Sequence, residues 1–270
     1  MKIALPSRGL LGCSEVELQT PTYRHLRDIT QVEYPLEQVG YEFVKSLLVD
    51  PSTLARMTFQ DKDYLLTVAV AAMHLNAIPF RVTCQCGKPV NAVYTYGEQE
   101  LYYLPEDTEV VTEKEIDGKV YQFHILSADA EYRLAQWAEE QADGDDKALK
   151  RKYEEGFVCL TFGYDLTDEG LKAVADFPLL VYYSALLFRE MTFHGCPPSL
   201  TVTCKECGQQ INVFVPFAQS LLSWSSADIV NEFMAISKYT SGFDGFLSLT
   251  FAEAAQIARN VEEMNERQAQ

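Results

Sequence analysis

The chain has 270 residues, 47% of them hydrophobic and 23% charged, a composition that supports a folded core and excludes a disordered or collagen-like protein. Its 39 acidic residues outnumber 22 lysines and arginines, for a formal net charge of −17. Because so acidic a surface repels phosphate groups, binding to nucleic acid or to an anionic membrane is not expected.

The first twenty residues are expected to form an extended arm. They are interrupted by Pro6 and followed by Pro21, and they contain no apolar run of the kind found in secretion signals. The longest apolar run, 177–188, is too short to span a bilayer and predicts a buried helix. The chain is therefore expected in a reducing cytoplasm, where neighbouring cysteines bind metals more often than they form disulfides.

A first helical lobe is predicted for residues 21–145. Apolar side chains recur at helical spacing within 23–48, and a strongly apolar helix is expected to open at Asp61. Ser127 is expected to cap the helix that ends this lobe.

A β-rich insert interrupts the first lobe from Phe80 onwards. Its strands are indicated by alternating and aromatic residues, and it contains Cys84 and Cys86. The acidic stretch 105–118 that follows is expected to be a surface loop or an edge hairpin.

A second helical lobe is predicted for residues 146–270, after a linker-like tract at 142–150. It contains the apolar helix and then a second β-rich insert. Its last helix should begin with a capping box, because Thr250 is followed three residues later by Glu253.

The two inserts resemble each other. In both, an apolar helix leads to Val-Thr-Cys, then to a second Cys, a Gly and, four residues after the Gly, an Asn. The matched residues are Val82, Thr83, Cys84, Cys86, Gly87 and Asn91 in the first insert, and Val202, Thr203, Cys204, Cys207, Gly208 and Asn212 in the second. The match suggests an internal duplication of a helix followed by a hairpin.

Four of the cysteines are predicted to bind one structural zinc ion. Cys204 and Cys207 have the spacing of a zinc-knuckle half-site, and Cys84 and Cys86 are the natural donors of the two remaining thiolates. The first pair is one residue short of this spacing, and its side chains would point to opposite faces of a regular strand. The alternative is that these thiols are relics of a zinc ribbon, packed as small apolar side chains.

The remaining candidates for chemistry are weak, and the chain is not expected to be an enzyme. Cys13, Cys159 and Cys196 lack partner spacing, although Cys196 with His194 forms a reserve ligand pair. The sequence has no phosphate-binding loop, dinucleotide fingerprint, nucleophile elbow or metalloprotease motif. No catalytic residue is therefore predicted.

The order of these elements resembles a known family. From Asp61 a long apolar helix leads into a strand and a Cys-x-Cys-Gly sequence that ends at Gly87, followed by Leu104-Pro105, an acidic stretch and the strand GKVYQFHIL. Over residues 20–140 this order is similar to the baseplate hub and hub-assembly proteins of contractile-tailed, T-even-like bacteriophages.

The resemblance implies a helical body that carries a zinc-ribbon-like insertion, with Cys204 and Cys207 as the best match to the knuckle and Cys84 and Cys86 next. It implies a non-enzymatic role in building the tail hub, through contacts with neighbouring baseplate subunits or the tape-measure protein. The chain would assemble in the host cytoplasm and belong to the baseplate of the virion tail.

The sequence therefore predicts an α+β protein, a mainly helical body with two β-hairpin inserts that works in an oligomeric assembly. Two alternatives stay open. A zinc-ribbon adaptor of a transcription or replication complex would show a basic stripe across the knuckles, which offer only Lys88 and Lys205. A metal or thiol enzyme would show an open coordination position beside a deep pocket.

Overall fold

The computed structural model describes residues 1–32, 34–215 and 217–268, and it confirms the α+β class. The helices are α1 (Tyr23–Thr30), α2 (Leu36–Leu47), α3 (Phe59–Met73), α4 (Ala128–Ala142), α5 (Asp146–Thr161), α6 (Asp168–Ala175), α7 (Leu179–Met191), α8 (Phe217–Leu222), α9 (Ser226–Ile236), α10 (Phe243–Leu247) and α11 (Phe251–Gln268). Short 3-10 helices cover Pro51–Arg56 and Ser237–Tyr239. Among the described residues no single helix is long and apolar enough to cross a membrane, although α6 and α7, bent by 111° at their junction, pass that test as a pair.

The strands pair antiparallel with their neighbours in the chain and form separate two-stranded units. They are β1 (Lys2–Ala4) with β2 (Glu15–Glu17), β3 (Ala77–Thr83) with β4 (Pro89–Thr95), β5 (Val111–Ile116) with β6 (Lys119–His124), and β7 (Ser199–Thr203) with β8 (Gln210–Phe214). The acidic stretch 105–118 thus supplies β5, in agreement with the edge-hairpin alternative. Isolated two-stranded units are marginally stable, so each depends on what it packs against.

The N-terminal segment differs from the extended arm expected from sequence. β1 pairs with β2, and Leu18 forms a bridge to Leu48 at the end of α2. Ile3, Leu5 and Leu18 are buried in the largest hydrophobic core. Burial of these apolar side chains explains why the segment folds back onto the helices instead of extending into solvent.

The largest core combines the N-terminal helices α1–α3 with the C-terminal helices α8–α11. Tyr23 of α1 stacks on Phe251 of α11 with ring centroids 4.3 Å apart. The ring centroid of Phe246 in α10 lies 4.4 Å from that of Tyr23. Residues from both predicted lobes therefore share one core, and the lobe boundaries at 145 and 146 stay a prediction.

Helix caps account for several element boundaries. The Ser127 hydroxyl accepts a hydrogen bond from the N–H of Ala130, as predicted. The tract 142–150 contains the end of α4, a connection at 143–145 and the start of α5, where Asp145 caps the helix by accepting from the backbone N–H groups of Lys147 and Ala148.

Two capping boxes set the starts of α3 and α11. Thr250 and Glu253 form the predicted box at the start of α11. The apolar helix α3 begins before Asp61, at Phe59, because Asp61 is the third helical residue and exchanges hydrogen bonds with Thr58.

Helix α7 is only half buried, whereas the sequence predicted a buried helix. Val181 and Phe188 are buried in a second core with β6, α5 and α6. On the other side Leu180, Tyr183 and Leu187 are exposed to solvent. When a helix is apolar on all sides, its sequence does not indicate which side is buried. The elements that pack against it determine this.

Candidate metal centre

Two hairpins of similar local geometry carry the four candidate ligands. β3 ends at Thr83 and β7 at Thr203, so each cysteine pair lies in the turn of its hairpin. Gly87 and Gly208, which follow the second cysteines, have φ of 80° and 73°, a conformation that glycine adopts without strain. Because Cys84 and Cys86 lie in a turn, they need not point to opposite faces, as they would in a regular strand.

Backbone hydrogen bonds close each turn in the same way. The N–H of Cys84 donates to the carbonyl of Lys88 at 2.8 Å, and the N–H of Cys204 donates to the carbonyl of Gln209 at 2.9 Å. Each glycine N–H then donates back to the first cysteine carbonyl, at 2.8 Å in the first turn and 2.9 Å in the second. These bonds hold both sulfur-bearing turns in defined conformations.

The hairpins pack side by side, with β4 against β7. Under the turns, Cys84, Val90 and Cys204 form a small buried cluster, against which Val82, Val202 and Ile211 pack. At the tip, the side-chain amide of Gln209 donates to the side-chain oxygen of Gln85 at 3.0 Å and joins the two turns directly. The sequence offered no specific signal for this glutamine bridge.

The structure brings the four predicted ligands together. The Sγ atoms of Cys84 and Cys207 lie 3.6 Å apart and those of Cys86 and Cys204 lie 3.8 Å apart, and all four lie within 4.8 Å of one another. Tetrahedral zinc with Zn–S bonds of about 2.3 Å requires S–S separations of about 3.8 Å. The donor set and its spacing therefore fit a tetrathiolate metal site.

Burial also distinguishes these thiols from packed apolar side chains. Cys84 and Cys204 are 2% and 1% exposed, but Cys86 and Cys207 are open to solvent. The backbone N–H groups of Cys207 and Glu206 lower the pKa of the Cys204 thiol to about 7. The pKa of Cys207, although lowered by the Gln209 backbone N–H, is raised to about 12 by hydrogen bonding with Cys84. Packing as small hydrophobic groups accounts for the buried pair and not for the exposed pair.

The other cysteines lie outside this cluster. Cys13, Cys159 and Cys196 are buried free thiols, and burial raises the pKa of each, to about 11 for Cys159. Among the described residues no other group of three or more His, Cys, Asp or Glu side chains brings its ligand atoms this close together.

In the reserve ligand pair of Cys196 and His194, the histidine already uses both ring nitrogens in hydrogen bonds. His194 Nδ1 donates to the carbonyl of Thr192 at 2.9 Å, so Nε2 accepts from the Thr58 hydroxyl at 2.6 Å. Burial lowers the pKa of His194 below its ordinary value, and the nearby Asp61 carboxylate offsets only part of this shift. With both ring nitrogens engaged, this histidine has a structural role in the core.

Comparisons with known proteins assign no family to the chain. No family model, no curated protein and no solved structure matches it.

Proposed function

We propose that the chain is a structural or assembly component of the baseplate or hub of a contractile phage tail, and that it acts through protein–protein contacts. The observation that carries the proposal is the exposed apolar face of α7. Exposed apolar patches of this kind are typical of surfaces that another protein covers. The metal centre is assigned a structural role, in holding the two hairpins together.

The exposed face of α7 is a regular row. Leu180, Tyr183, Leu187 and Met191 are 57%, 57%, 58% and 65% exposed, and their spacing of three or four residues puts them on one side of the helix. A shallow groove lies beside Ser184, between the larger side chains. Such a row with a groove is suited to the apolar face of a partner helix.

Charge indicates the kind of partner. The chain carries a net charge of −17, and Asp176 and Glu190, near the two ends of α7, are exposed. One cation, Lys114, reaches the row at Met191, with Nζ 3.8 Å from Sδ. A second copy of the chain would bring like charges together, whereas a partner with basic residues beside its apolar face would be attracted. The expected partner is therefore a neighbouring tail subunit with a basic, amphipathic helix.

Zinc is the metal that we propose for the four thiolates of Cys84, Cys86, Cys204 and Cys207. Four thiolates fill a tetrahedral coordination sphere, so the ion would have no open position for a substrate. The buried cluster beneath the turns is small, and a bound ion would add the stability that this cluster lacks. The arrangement thus supports structural use of the metal.

Internal duplication is the proposed origin of the two hairpins. In the first hairpin Val82 pairs with Val90, and in the second Val202 pairs with Ile211. One step further from the turn, the two matched asparagines occupy equivalent positions, Asn91 opposite Arg81 and Asn212 opposite Thr201. Equal register in both hairpins supports a repeated unit.

The family part of the proposal rests on the order of elements that resembles phage hub proteins. It is tested first by the genes that flank the gene for this chain. We expect genes for tail-tube, tape-measure or baseplate-wedge proteins there, and a metabolic operon would contradict the assignment.

The assembly role is tested by complementation. Phage with a null mutation in the gene should produce tails without complete baseplates, counted by negative-stain electron microscopy, and the wild-type gene should restore them. The variant L180E/L187E should fail to restore baseplates, while C13S, a substitution outside α7, should succeed. Complete baseplates in the null mutant would overturn the proposal.

A further inference from the structure

A cavity of about 350 Å³ lies between α2, α3, α8 and the segment 193–198, within the main body of the protein. Much of its wall is apolar, with Leu66, Val215 and Phe217 among the lining residues. Leu36 and Phe214 also line it and are 43% and 68% exposed, so they lie where the cavity opens to solvent. A mainly apolar cavity of this size is typical of small-molecule sites.

A buried ionic cluster lines one side of the cavity. The Lys62 ammonium lies 2.8 Å from Asp63 Oδ1 and 3.2 Å from Glu131 Oε2, and the Tyr153 hydroxyl donates to Glu131 Oε1 at 2.8 Å. The side chains of Lys62 and Glu131 are only 5% and 10% exposed. Buried ion pairs contribute little net stability, so stability alone is a poor explanation for this cluster.

The hydrogen-bond inventory of the cluster leaves one donor free. A lysine ammonium has three N–H groups, and two of them face the carboxylates of Asp63 and Glu131. Within the part of the chain that the structure describes, the third N–H of Lys62 has no acceptor. Both oxygens of Glu131 are already engaged, so this carboxylate offers no strong site for a further donor.

We propose that the cavity binds a small, uncharged, mainly apolar molecule through a carbonyl or hydroxyl oxygen that accepts a hydrogen bond from Lys62. One ammonium and two carboxylates give the cluster a net negative charge, which repels an anion. The same net charge attracts a cation, but a cation cannot accept the free N–H of Lys62 and would lie beside its ammonium, so this donor would stay unused. This site is separate from the metal centre and does not depend on the assembly role.

The ligand class is tested with three probes that share one benzyl group: phenylacetamide, phenylacetate and 2-phenylethylamine. Binding to the full-length protein is followed by titration of amide NMR signals. We expect phenylacetamide to bind at least tenfold more tightly than either charged probe, with shifts confined to residues around the cavity. Equal affinity for a charged probe, or no binding of the amide at millimolar concentration, would overturn the proposal.

Two variants test whether the ligand binds in this cavity and whether Lys62 donates the hydrogen bond to it. A218W should fill the cavity and abolish binding, while L222W, on the same short helix but outside the lining, should bind as the wild type does. K62M/E131L removes the donor without leaving a buried carboxylate unpaired, and it should weaken the binding of phenylacetamide at least tenfold. Undiminished binding by K62M/E131L would refute the role of Lys62, even if A218W failed to fold.

Discussion

The sulfur atoms of Cys84 and Cys207 lie 3.6 Å apart, although the two residues are separated by 123 positions in the chain. This separation is too long for a disulfide, whose S–S bond is about 2.05 Å, and it suits two thiolates bound to one tetrahedral ion. A contact across so many residues links the two hairpins, and it gives the metal proposal a direct test.

We expect one zinc ion per chain in freshly purified, reduced protein, measured by elemental analysis against protein concentration. C204S should lose most of this zinc because it removes a buried ligand. C13S is the matched control, since Cys13 is also buried but lies outside the cluster. Absence of zinc from the reduced wild-type protein would refute the metal site.

Removal of the metal should loosen the hairpin tips and leave the helical core intact. After chelation we expect amide hydrogen exchange to rise about tenfold or more in residues 82–91 and 202–212, because little else buries these turns. Exchange in α3 should stay slow, since most of this helix lies in the main core. Uniform loss of protection throughout the chain would contradict a local role.

The two sides of α7 should respond differently to mutation. L180E/L187E changes exposed side chains and should alter the free energy of unfolding by no more than about 1 kcal/mol. F188A removes a buried ring and should cost about 3 kcal/mol or more. Urea denaturation measures both, and a large loss in L180E/L187E would show that the apolar row is part of the fold.

Breaking the buried ion pair should be more costly than removing it. E131A leaves Lys62 with only the half-exposed Asp63, and we expect a loss of about 3 kcal/mol in the free energy of unfolding. K62M/E131L replaces both charges with apolar groups and should cost less, about 1 kcal/mol, because only the Tyr153 hydroxyl then loses its acceptor. Urea denaturation of the two variants tests this, and a double variant as unstable as E131A would contradict it.

Stability should fall as the medium becomes acidic. Burial lowers the pKa of His25, His74 and His194 in the folded protein, so each binds a proton more readily when unfolded. Their contribution is complete above the ordinary imidazole pKa of about 6.5 and is lost as the pH falls towards the folded values.

The change is measured by urea denaturation at about pH 7 and about pH 5.5, where each histidine can contribute up to about 1.4 kcal/mol per pH unit. H194N should show a smaller loss over this interval than the wild-type protein, because one of the three groups is gone. An equal loss in H194N would mean that His194 does not titrate differently in the folded and unfolded chains.

The parts of the fold that sequence reasoning predicted well depend on short-range contacts. The cap at Ser127 and the capping box of Thr250 and Glu253 each join groups three residues apart, so neighbours in the chain determine them. Asp61 is also a local signal. Its acidic side chain indicated the start of α3, and because it is the third residue of the helix in the capping box, α3 begins two residues earlier, at Phe59.

The cysteine pattern predicted which residues could bind a metal, because ligand type and the turn-forming glycines are properties of the local sequence. Whether the two cysteine pairs come together depends on how β4 packs against β7, and the spacing of residues within either pair does not predict that packing. The ionic cluster around Lys62 was missed for the same reason, since its partner Glu131 lies 69 positions away.

The sequence by itself therefore determined the caps, the turns, the candidate ligands and the overall acidity of this protein. Tertiary structure decided that the N-terminal segment is buried, that α7 exposes one apolar side and that four sulfurs converge. The physical reason is that local hydrogen bonds act within a few residues, while burial and convergence depend on which distant surfaces pack together.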